Sequence, residues 1–202
     1  MKQVTLSLTG LILLIYSVSA QIPEKAEDIS PLLIGEIIPD VTLKAADATG
    51  HSTLEIISEK PAVILFYRGG WCPYCNAHLA DIQGAESEII NLGFQIIAIS
   101  PDSPENLQAT DEKNQLSYRL YSDSYGTLMK AMGIAFRARE RSFQKLMRYS
   151  AGLNKSLLPV PSVFVVDTSG IIEFEYINPN YRTRLGSDFL LAVLRELKKR
   201  ET

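Results

Sequence analysis

The segment Trp71-Cys72-Pro73-Tyr74-Cys75 contains both cysteines of this 202-residue chain. It follows the apolar run 62–67, Ala-Val-Ile-Leu-Phe-Tyr, which predicts a buried strand. Pro73 suits the first turn of a helix, because its missing N–H would have no intrahelical partner there. The segment therefore predicts a junction where a buried strand gives way to a helix, with Cys72 at the helix N-cap.

The N-cap position favours the ionised form of Cys72. A thiolate there faces unpaired backbone N–H groups and the positive end of the helix dipole. Cys75 lies about one helical turn further on the same face, so a disulfide needs little backbone movement. Such a bridge encloses only two residues and removes little chain entropy, which makes it a poor structural staple. We therefore predict a catalytic pair, Cys72 and Cys75, that forms a reversible disulfide.

Residues 1–20 have the pattern of a secretory leader. Lys2 precedes an apolar core at 11–15, and small residues lead up to Ala20. The core is shorter than the roughly 20 residues of a membrane span. We expect cleavage after Ala20 and an exported protein, periplasmic or secreted, that meets a membrane only if the leader stays uncleaved.

The composition indicates one globular domain. With 46% hydrophobic and 21% charged residues, the chain can bury one sizeable core. We assign residues 21–34 to a linker and residues 35–200 to the domain. The net charge of −3 and the lack of a long basic block argue against nucleic-acid binding. No cofactor is expected.

Apolar periodicity predicts strands and helices in alternation. The predicted elements are a hairpin at 41–54, strands at 62–67, 94–99 and 118–121, helices at 73–92 and 104–114, helical segments at 125–132 and 137–150, a surface loop at 152–158, a hairpin at 160–176 and a helix at 187–199. Strands joined through helices are parallel, whereas the last hairpin is antiparallel. The expected fold class is α/β, a mixed β-sheet with helices on both faces.

Residues 66–76, Phe-Tyr-Arg-Gly-Gly-Trp-Cys-Pro-Tyr-Cys-Asn, resemble the redox site of the alkyl hydroperoxide reductase and thiol-specific antioxidant family. The match is to its thioredoxin-like, peroxiredoxin-like branch. Further similar stretches follow in order at 99–103, 121–123, 160–161 and 180–182. The resemblance implies a thioredoxin-like fold with an N-terminal extension. It also implies an antioxidant, thiol-dependent oxidoreductase that acts in cell redox homeostasis.

The resemblance also assigns supporting residues around the thiols. Trp71 is expected to pack beside them. Pro161 is expected to follow a cis peptide bond and to lie opposite the cysteines. Arg68 is expected to lower a thiol pKa through its charge.

The sequence departs from the ordinary peroxiredoxin pattern at three places. Laid on that pattern, Cys75 takes the position of the peroxide-attacking cysteine, Cys72 replaces a threonine, and Arg68 replaces a proline. The arginine that contacts the peroxide from a later strand is missing, and Pro161 or Ser162 stands in its place. The substrate therefore stays open between a peroxide and a disulfide.

Two redox mechanisms fit the pair. In the first, a hydroperoxide oxidises one cysteine, the other condenses with it, and an unidentified thiol reduces the resulting disulfide. In the second, the Cys72 thiolate attacks a substrate disulfide and Cys75 resolves the mixed disulfide, without peroxidase activity. The Pro73-Tyr74 pair is also that of many glutaredoxins, which admits glutathione as a substrate.

A third alternative belongs to a different class, metal binding. Cys72, Cys75 and His78 recur at three-residue intervals and together offer ligands that suit copper or zinc. The only other histidine, His51, is not placed near them by any sequence pattern.

Overall fold

The computed structural model describes residues 21–200. The leader prediction falls on residues 1–20 and lies outside the described residues. Within 21–200, no helix combines the length and the hydropathy that crossing a bilayer requires.

The strands of the described residues are β1 Thr42–Ala45, β2 Gly50–Ser52, β3 Ala62–Phe66, β4 Gln95–Ser100, β5 Arg119–Ser122, β6 Ala135–Arg137, β7 Leu157–Pro159, β8 Ser162–Val166 and β9 Ile172–Ile177. Seven of them form a mixed sheet at the centre of the fold, in the order β2-β1-β5-β4-β3-β8-β9. Strand β3 pairs in parallel with β4 and antiparallel with β8, which places it in the interior of the sheet.

Both faces of the sheet are covered, as the predicted fold class requires. Alternate residues of β3 point to opposite faces, so Val63 and Leu65 join one apolar core and Ile64 and Phe66 join the other. An interior strand with two covered faces must be apolar at every position, which explains the run 62–66. The sequence prediction of a mixed sheet with helices on both faces is confirmed.

The described residues contain six helices, α1 Thr53–Ile57, α2 Pro73–Asn91, α3 Pro104–Asn114, α4 Thr127–Ala131, α5 Glu140–Tyr149 and α6 Ser187–Arg200. Helices α2 and α6 pack against each other on the first core, and α3 contributes to the same core. Helices α1 and α4 cover the second core.

Two short features were not predicted. Helix α1 begins at a capping box, in which Ser52 and Glu55 each accept a hydrogen bond from the other's backbone N–H. Strands β6 and β7 form a separate two-stranded sheet, and β7 occupies part of the predicted loop at 152–158. Three-residue strands carry too little periodicity to be recognised in a sequence.

The segment 21–34, predicted as a linker, packs onto the domain. A 3-10 turn forms at Ala26–Asp28. The backbone N–H of Leu32 donates to the carbonyl oxygen of Met132 over 3.1 Å. Arg137 donates its backbone N–H to Pro23 and pairs with Glu24 through its side chain at 2.8 Å. These bonds hold the segment against β6 and the end of α4.

Candidate active site

The two cysteines lie where β3 gives way to α2, as predicted. Helix α2 begins at Pro73, and Cys72 is its N-cap residue. The carbonyl oxygen of Cys72 accepts hydrogen bonds from the backbone N–H groups of Cys75 at 3.0 Å and Asn76 at 3.1 Å. Both cysteines are free thiols.

The loop between β3 and α2 is held by a buried carboxyl group. Asp102, which follows β4, is 1% exposed and accepts a hydrogen bond from the backbone N–H of Gly70 at 2.7 Å. Burial raises the pKa of Asp102 to about 7. Gly69 has φ +128, and a Cβ there would lie 2.5 Å from the indole Nε1 of Trp71. Glycine at this position therefore permits both the left-handed turn and the close approach of Trp71.

The two thiols have opposite protonation preferences. The pKa of Cys72 is lowered to about 6, chiefly because the Cys75 thiol donates a hydrogen bond to its sulfur. Positive charge on Arg68 and Arg184 adds to this lowering. The pKa of Cys75 is raised, first by burial and then by its hydrogen bond to Cys72. At neutral pH the pair therefore holds one thiolate on Cys72 and one thiol on Cys75.

Both sulfurs are enclosed by protein. Cys72 is 1% exposed and Cys75 is fully buried. A small molecule can reach an enclosed sulfur more readily than the surface of another protein can. Enclosure also strengthens the electrostatic interactions inside the site.

Arg184 is a site residue that the sequence analysis missed. It lies in the segment between β9 and α6, and its Nη2 lies 3.3 Å from the sulfur of Cys75. Its Nε donates to the carbonyl oxygen of Tyr181 at 3.0 Å, while its buried Nη1 has no hydrogen-bond partner. The resemblance at 180–182 pointed to this segment but stopped two residues short of the arginine.

Arg68 is stacked between two aromatic rings beside the pair. Its guanidinium carbon lies 5.0 Å from the ring centre of Trp71 and 4.4 Å from that of Tyr181. Its Nη2 donates to Ser142 Oγ at 2.9 Å, and its Nε is buried without a partner. Stacking on aromatic faces stabilises a buried guanidinium that lacks a carboxylate partner. Trp71 packs against the apolar core that contains both cysteines, and Arg68 lies over its ring.

Tyr181 also contacts the helix that carries the pair. Its ring centre lies 5.7 Å from that of Tyr74 in an edge-to-face arrangement, and Arg182 lies over both rings. These contacts place the segment after β9 over the N-terminal end of α2. Tyr181 lies within the similar stretch 180–182, but the sequence analysis assigned it no role.

The predicted cis bond before Pro161 is wrong, because no peptide bond in residues 21–200 is cis. Pro161 is buried immediately before β8, and its carbonyl oxygen accepts a hydrogen bond from the N–H of Asn178 at 3.2 Å. A trans bond suits a proline that leads into a strand, and X-Pro bonds favour trans by about 0.5–1 kcal/mol without a specific opposing contact. Pro161 lines a cavity together with Arg68 and Tyr181.

The copper or zinc alternative finds no support in the described part of the chain. No three His, Cys, Asp or Glu side chains within it are placed to hold an ion. His78 is 8% exposed, and its Nε2 lies 3.0 Å from the carbonyl oxygen of Leu185. Burial lowers the pKa of His78 to about 4, so the ring is neutral and is held by the segment before α6. His51 lies on β2 and contacts Tyr121, away from the pair.

A match to a known family model shows which protein family the chain belongs to. The sequence profile of the AhpC/TSA family matches residues 34–175. The chain belongs to the AhpC/TSA family. This family consists of peroxiredoxin-like thiol peroxidases, and the chain is accordingly a thiol-dependent oxidoreductase with the predicted thioredoxin-like fold.

Individual AhpC/TSA relatives agree with this assignment. The chain is 26% identical over 137 residues to peroxiredoxin bcp1 of Schizosaccharomyces pombe, covering 67% of this chain and 70% of that protein. It is 24% identical over 167 residues to peroxiredoxin Bcp of Escherichia coli K12, covering 83% and 98%. The fold is similar to that of reduced Prx3 from Vibrio vulnificus in complex with hydrogen peroxide, with a TM-score of 0.70, 17% identity and coverage of 81% and 99%.

Proposed function

We propose that the protein is a thiol peroxidase in which Cys72 attacks a hydroperoxide and Cys75 resolves the product. One arrangement carries the proposal: Cys72 is the N-cap residue of α2 and Cys75 lies in the first turn of the same helix. The pKa of Cys72 is lowered to about 6 there, while burial raises the pKa of Cys75. An ionised nucleophile and a protonated partner in contact are what the two chemical steps require. Sequence relatives named peroxiredoxins support the choice of substrate, and Prx3 of Vibrio vulnificus, which has a similar fold, is solved in complex with hydrogen peroxide.

The first step transfers one oxygen atom. The Cys72 thiolate attacks the terminal oxygen of ROOH, the O–O bond breaks, and the alkoxide takes a proton to leave as ROH. Cys72 becomes a sulfenic acid. Arg68 and Arg184 stabilise negative charge near the sulfurs, because both act on the Cys72 thiolate electrostatically.

The second step closes the disulfide. The Cys75 sulfur attacks the sulfenic sulfur, the S–O bond breaks, and hydroxide leaves as water with the proton from Cys75. The product is the Cys72–Cys75 disulfide, which an external thiol reduces to restore the starting pair. The family pattern gives Cys75 the attacking position, whereas the electrostatics of this site favour Cys72.

Thiol-disulfide exchange is the second candidate, and the N-cap position of Cys72 supports it. In that reaction a substrate disulfide must reach Cys72, whose exposure is 1%. A protein disulfide would require displacement of the segment around Tyr181. A hydroperoxide is smaller and needs less opening.

Stopped-flow oxidation of the reduced protein tests the assignment. We expect hydrogen peroxide to react far faster with wild type and Cys75→Ser than with free cysteine, and Cys72→Ser to lose the fast phase. A sulfenic acid trapped by dimedone in Cys75→Ser would locate the oxygen on Cys72. A fast phase kept in Cys72→Ser and lost in Cys75→Ser would assign the attack to Cys75 instead. If wild type reacts no faster than free cysteine, the peroxidase function fails and disulfide exchange takes its place.

We also propose that the enzyme acts in an exported compartment. The support is the leader pattern of residues 1–20, with its early lysine, apolar core and small residues before Gln21. N-terminal sequencing of the protein recovered from its native cells should begin at Gln21. A mature chain that still begins with the leader would contradict cleavage, and recovery from the cytoplasm would contradict export.

A further inference from the structure

A cavity of about 470 Å³ lies beside the redox pair. Its size is within the range of small-molecule sites. Arg68, Pro161 and Tyr181 form one wall, the 3-10 turn at Ala26–Asp28 borders a second, and the start of α5 forms a third. Residues 25–27 of the segment 21–34 therefore form part of the wall of this cavity.

The charge of this cavity is predominantly positive. Four cationic side chains line it, namely Lys25, Arg68, Arg139 and Arg141, against one carboxylate, Glu27. Within residues 21–200, none of the four cations forms an ion pair with a carboxylate. The cavity therefore presents uncompensated positive charge to whatever enters it.

Backbone and buried donors reinforce this charge. Helix α5, which has ten residues, begins at the cavity, and its N-cap residue Arg139 makes no side-chain capping bond. The positive end of the helix therefore faces the same space as the cations. Arg68 provides evidence for an anion site that does not depend on the helix. It lines the cavity, it is 8% exposed, and its Nε is buried without a hydrogen-bond partner.

Two side chains of the cavity wall interact electrostatically with Cys72. Arg68 lowers the pKa of Cys72, and the charge on Cys72 acts in turn on Tyr181. Arg68 and Tyr181 therefore lie both in the cavity wall and near the reactive sulfur. Phe136, Leu158 and Pro179 add apolar surface. A ligand with a short alkyl portion and a terminal anion fits this combination, and guanidinium groups match the paired oxygens of a carboxylate.

We propose that this cavity binds the carboxylate group of a small substrate of the redox pair. The inference rests on the proposed function and extends it, because it names the chemical class of the substrate. Two reactants of the cycle can carry that carboxylate. One is an organic hydroperoxide, which oxidises Cys72. The other is a thiol, of which two molecules reduce the Cys72–Cys75 disulfide, giving two protein thiols and one RSSR.

A binding titration tests the site without using the thiols. Trp71 is the only tryptophan in the chain, and Arg68 stacks on it, so its fluorescence reports on this wall of the cavity. The probes are 3-(methylthio)propanoate and its neutral amide, which have the same shape and carry no reactive sulfur. We expect the acid to bind wild type more tightly than the amide.

The variants are chosen to change charge alone. Arg139 and Arg141 are exposed, so Arg139→Gln combined with Arg141→Gln should fold normally. We expect this double variant to bind the acid about threefold to tenfold more weakly and the amide unchanged. Arg148→Gln is the matched control, because Arg148 is an exposed arginine on the same helix that does not line the cavity. Its preference for the acid should equal that of wild type.

Two kinetic arms identify the source of the carboxylate. In the first, 3-mercaptopropionate and 2-mercaptoethanol reduce the oxidised enzyme. In the second, tert-butyl hydroperoxide and a carboxylated analogue oxidise the reduced enzyme. In each experiment the rate with the anionic reagent is divided by the rate with the neutral reagent. In one of the two experiments this ratio should be about threefold to tenfold lower in the double variant than in wild type. The reagent used in that experiment, thiol or hydroperoxide, is then the reactant whose carboxylate binds in the cavity.

Equal affinity of wild type for acid and amide would overturn the proposal, as would an acid preference that the double variant retains. Failure of the peroxidase function is a separate result. It would be seen with hydrogen peroxide, which carries no carboxylate, and would leave the fluorescence titration unaffected.

Discussion

The guanidinium of Arg184 contacts the sulfur of Cys75, with Nη2 lying 3.3 Å from Sγ. The two residues are 109 positions apart in the chain. Arg184 lowers the pKa of both thiols, and it does so from a segment other than the strand that supplies the arginine in ordinary peroxiredoxins. The site therefore has an arginine for the redox pair, although the sequence pattern predicted that it was missing.

Replacing Arg184 should make Cys72 harder to ionise. In Arg184→Gln, loss of the positive charge should move the pKa of Cys72 upward from about 6 by about one unit. The pH dependence of iodoacetamide alkylation, followed by mass spectrometry at Cys72, measures this midpoint. Arg182→Gln serves as the control, because Arg182 lies over Tyr74 and Tyr181 and should leave the midpoint in place. An unchanged midpoint in Arg184→Gln would contradict the role of Arg184.

The hydrogen bond between the thiols predicts a difference between two Cys75 variants. Cys75→Ala removes the donor to the Cys72 sulfur, so the pKa of Cys72 should rise by about one to two units. Cys75→Ser keeps a hydroxyl donor and should hold the pKa of Cys72 low. Thiolate absorbance near 240 nm across a pH series distinguishes the two. Identical titrations would show that the donor is not the main cause of the low pKa.

Tyr181 should control access of bulky reagents to Cys72. Removing its ring in Tyr181→Ala uncovers the space over Arg68 and the end of α2. We expect the rate with a bulky aromatic disulfide, 5,5′-dithiobis(2-nitrobenzoate), to rise at least about fivefold, with a much smaller change for hydrogen peroxide. Tyr125→Ala, which removes the ring of an exposed tyrosine, is the control. Equal acceleration of both reagents would show that Tyr181 does not select by size.

Asp102 should make the stability of the enzyme depend on pH. Folding raises the pKa of Asp102 from 3.8 to about 7 because the carboxyl is buried. The protonated form therefore favours the folded state. This contribution is complete below about pH 4 and is lost as the pH rises through about 7, which lowers the free energy of unfolding by on the order of 4 kcal/mol.

Asp102→Asn should remove that loss, because the amide stays neutral and its oxygen can still accept the hydrogen bond from Gly70. Urea unfolding of wild type and variant at pH 4, 6 and 8 measures the effect. Burial raises the pKa of Asp123 to about 6 and lowers the pKa of His78 to about 4, and these two contributions have opposite signs and remain in both proteins. The effect of Asp102 is therefore read from the difference between the two curves. Parallel curves for the two proteins would show that Asp102 is ionised with little cost in the folded state.

The central part of the fold and the position of the redox pair could be predicted from local sequence. The apolar run 62–66 is specific because an interior strand must be apolar on both faces. Pro73 is specific because proline is accepted at the first turn of a helix and not within one. Short elements such as β6 and β7 could not be predicted, because three residues are too few to show a period.

The residues that surround the two cysteines could not be predicted from local sequence in the same way. Arg184, Tyr181 and Asp102 reach the cysteine loop from segments that are distant in the chain, and none of them has a local pattern that identifies its role. Pro161 shows the converse: its match to a family position predicted a cis bond that the structure does not contain.

The sequence by itself determined that two thiols lie at the start of a helix after a buried strand, because proline placement and apolar periodicity act over a few neighbouring residues. Only the tertiary structure decided which charges and rings surround those thiols. Packing of β4, β9 and α5 brings Asp102, Arg184 and the cationic cavity to the pair, and the electrostatic energy of a buried thiolate depends on distance in space and not on separation along the chain.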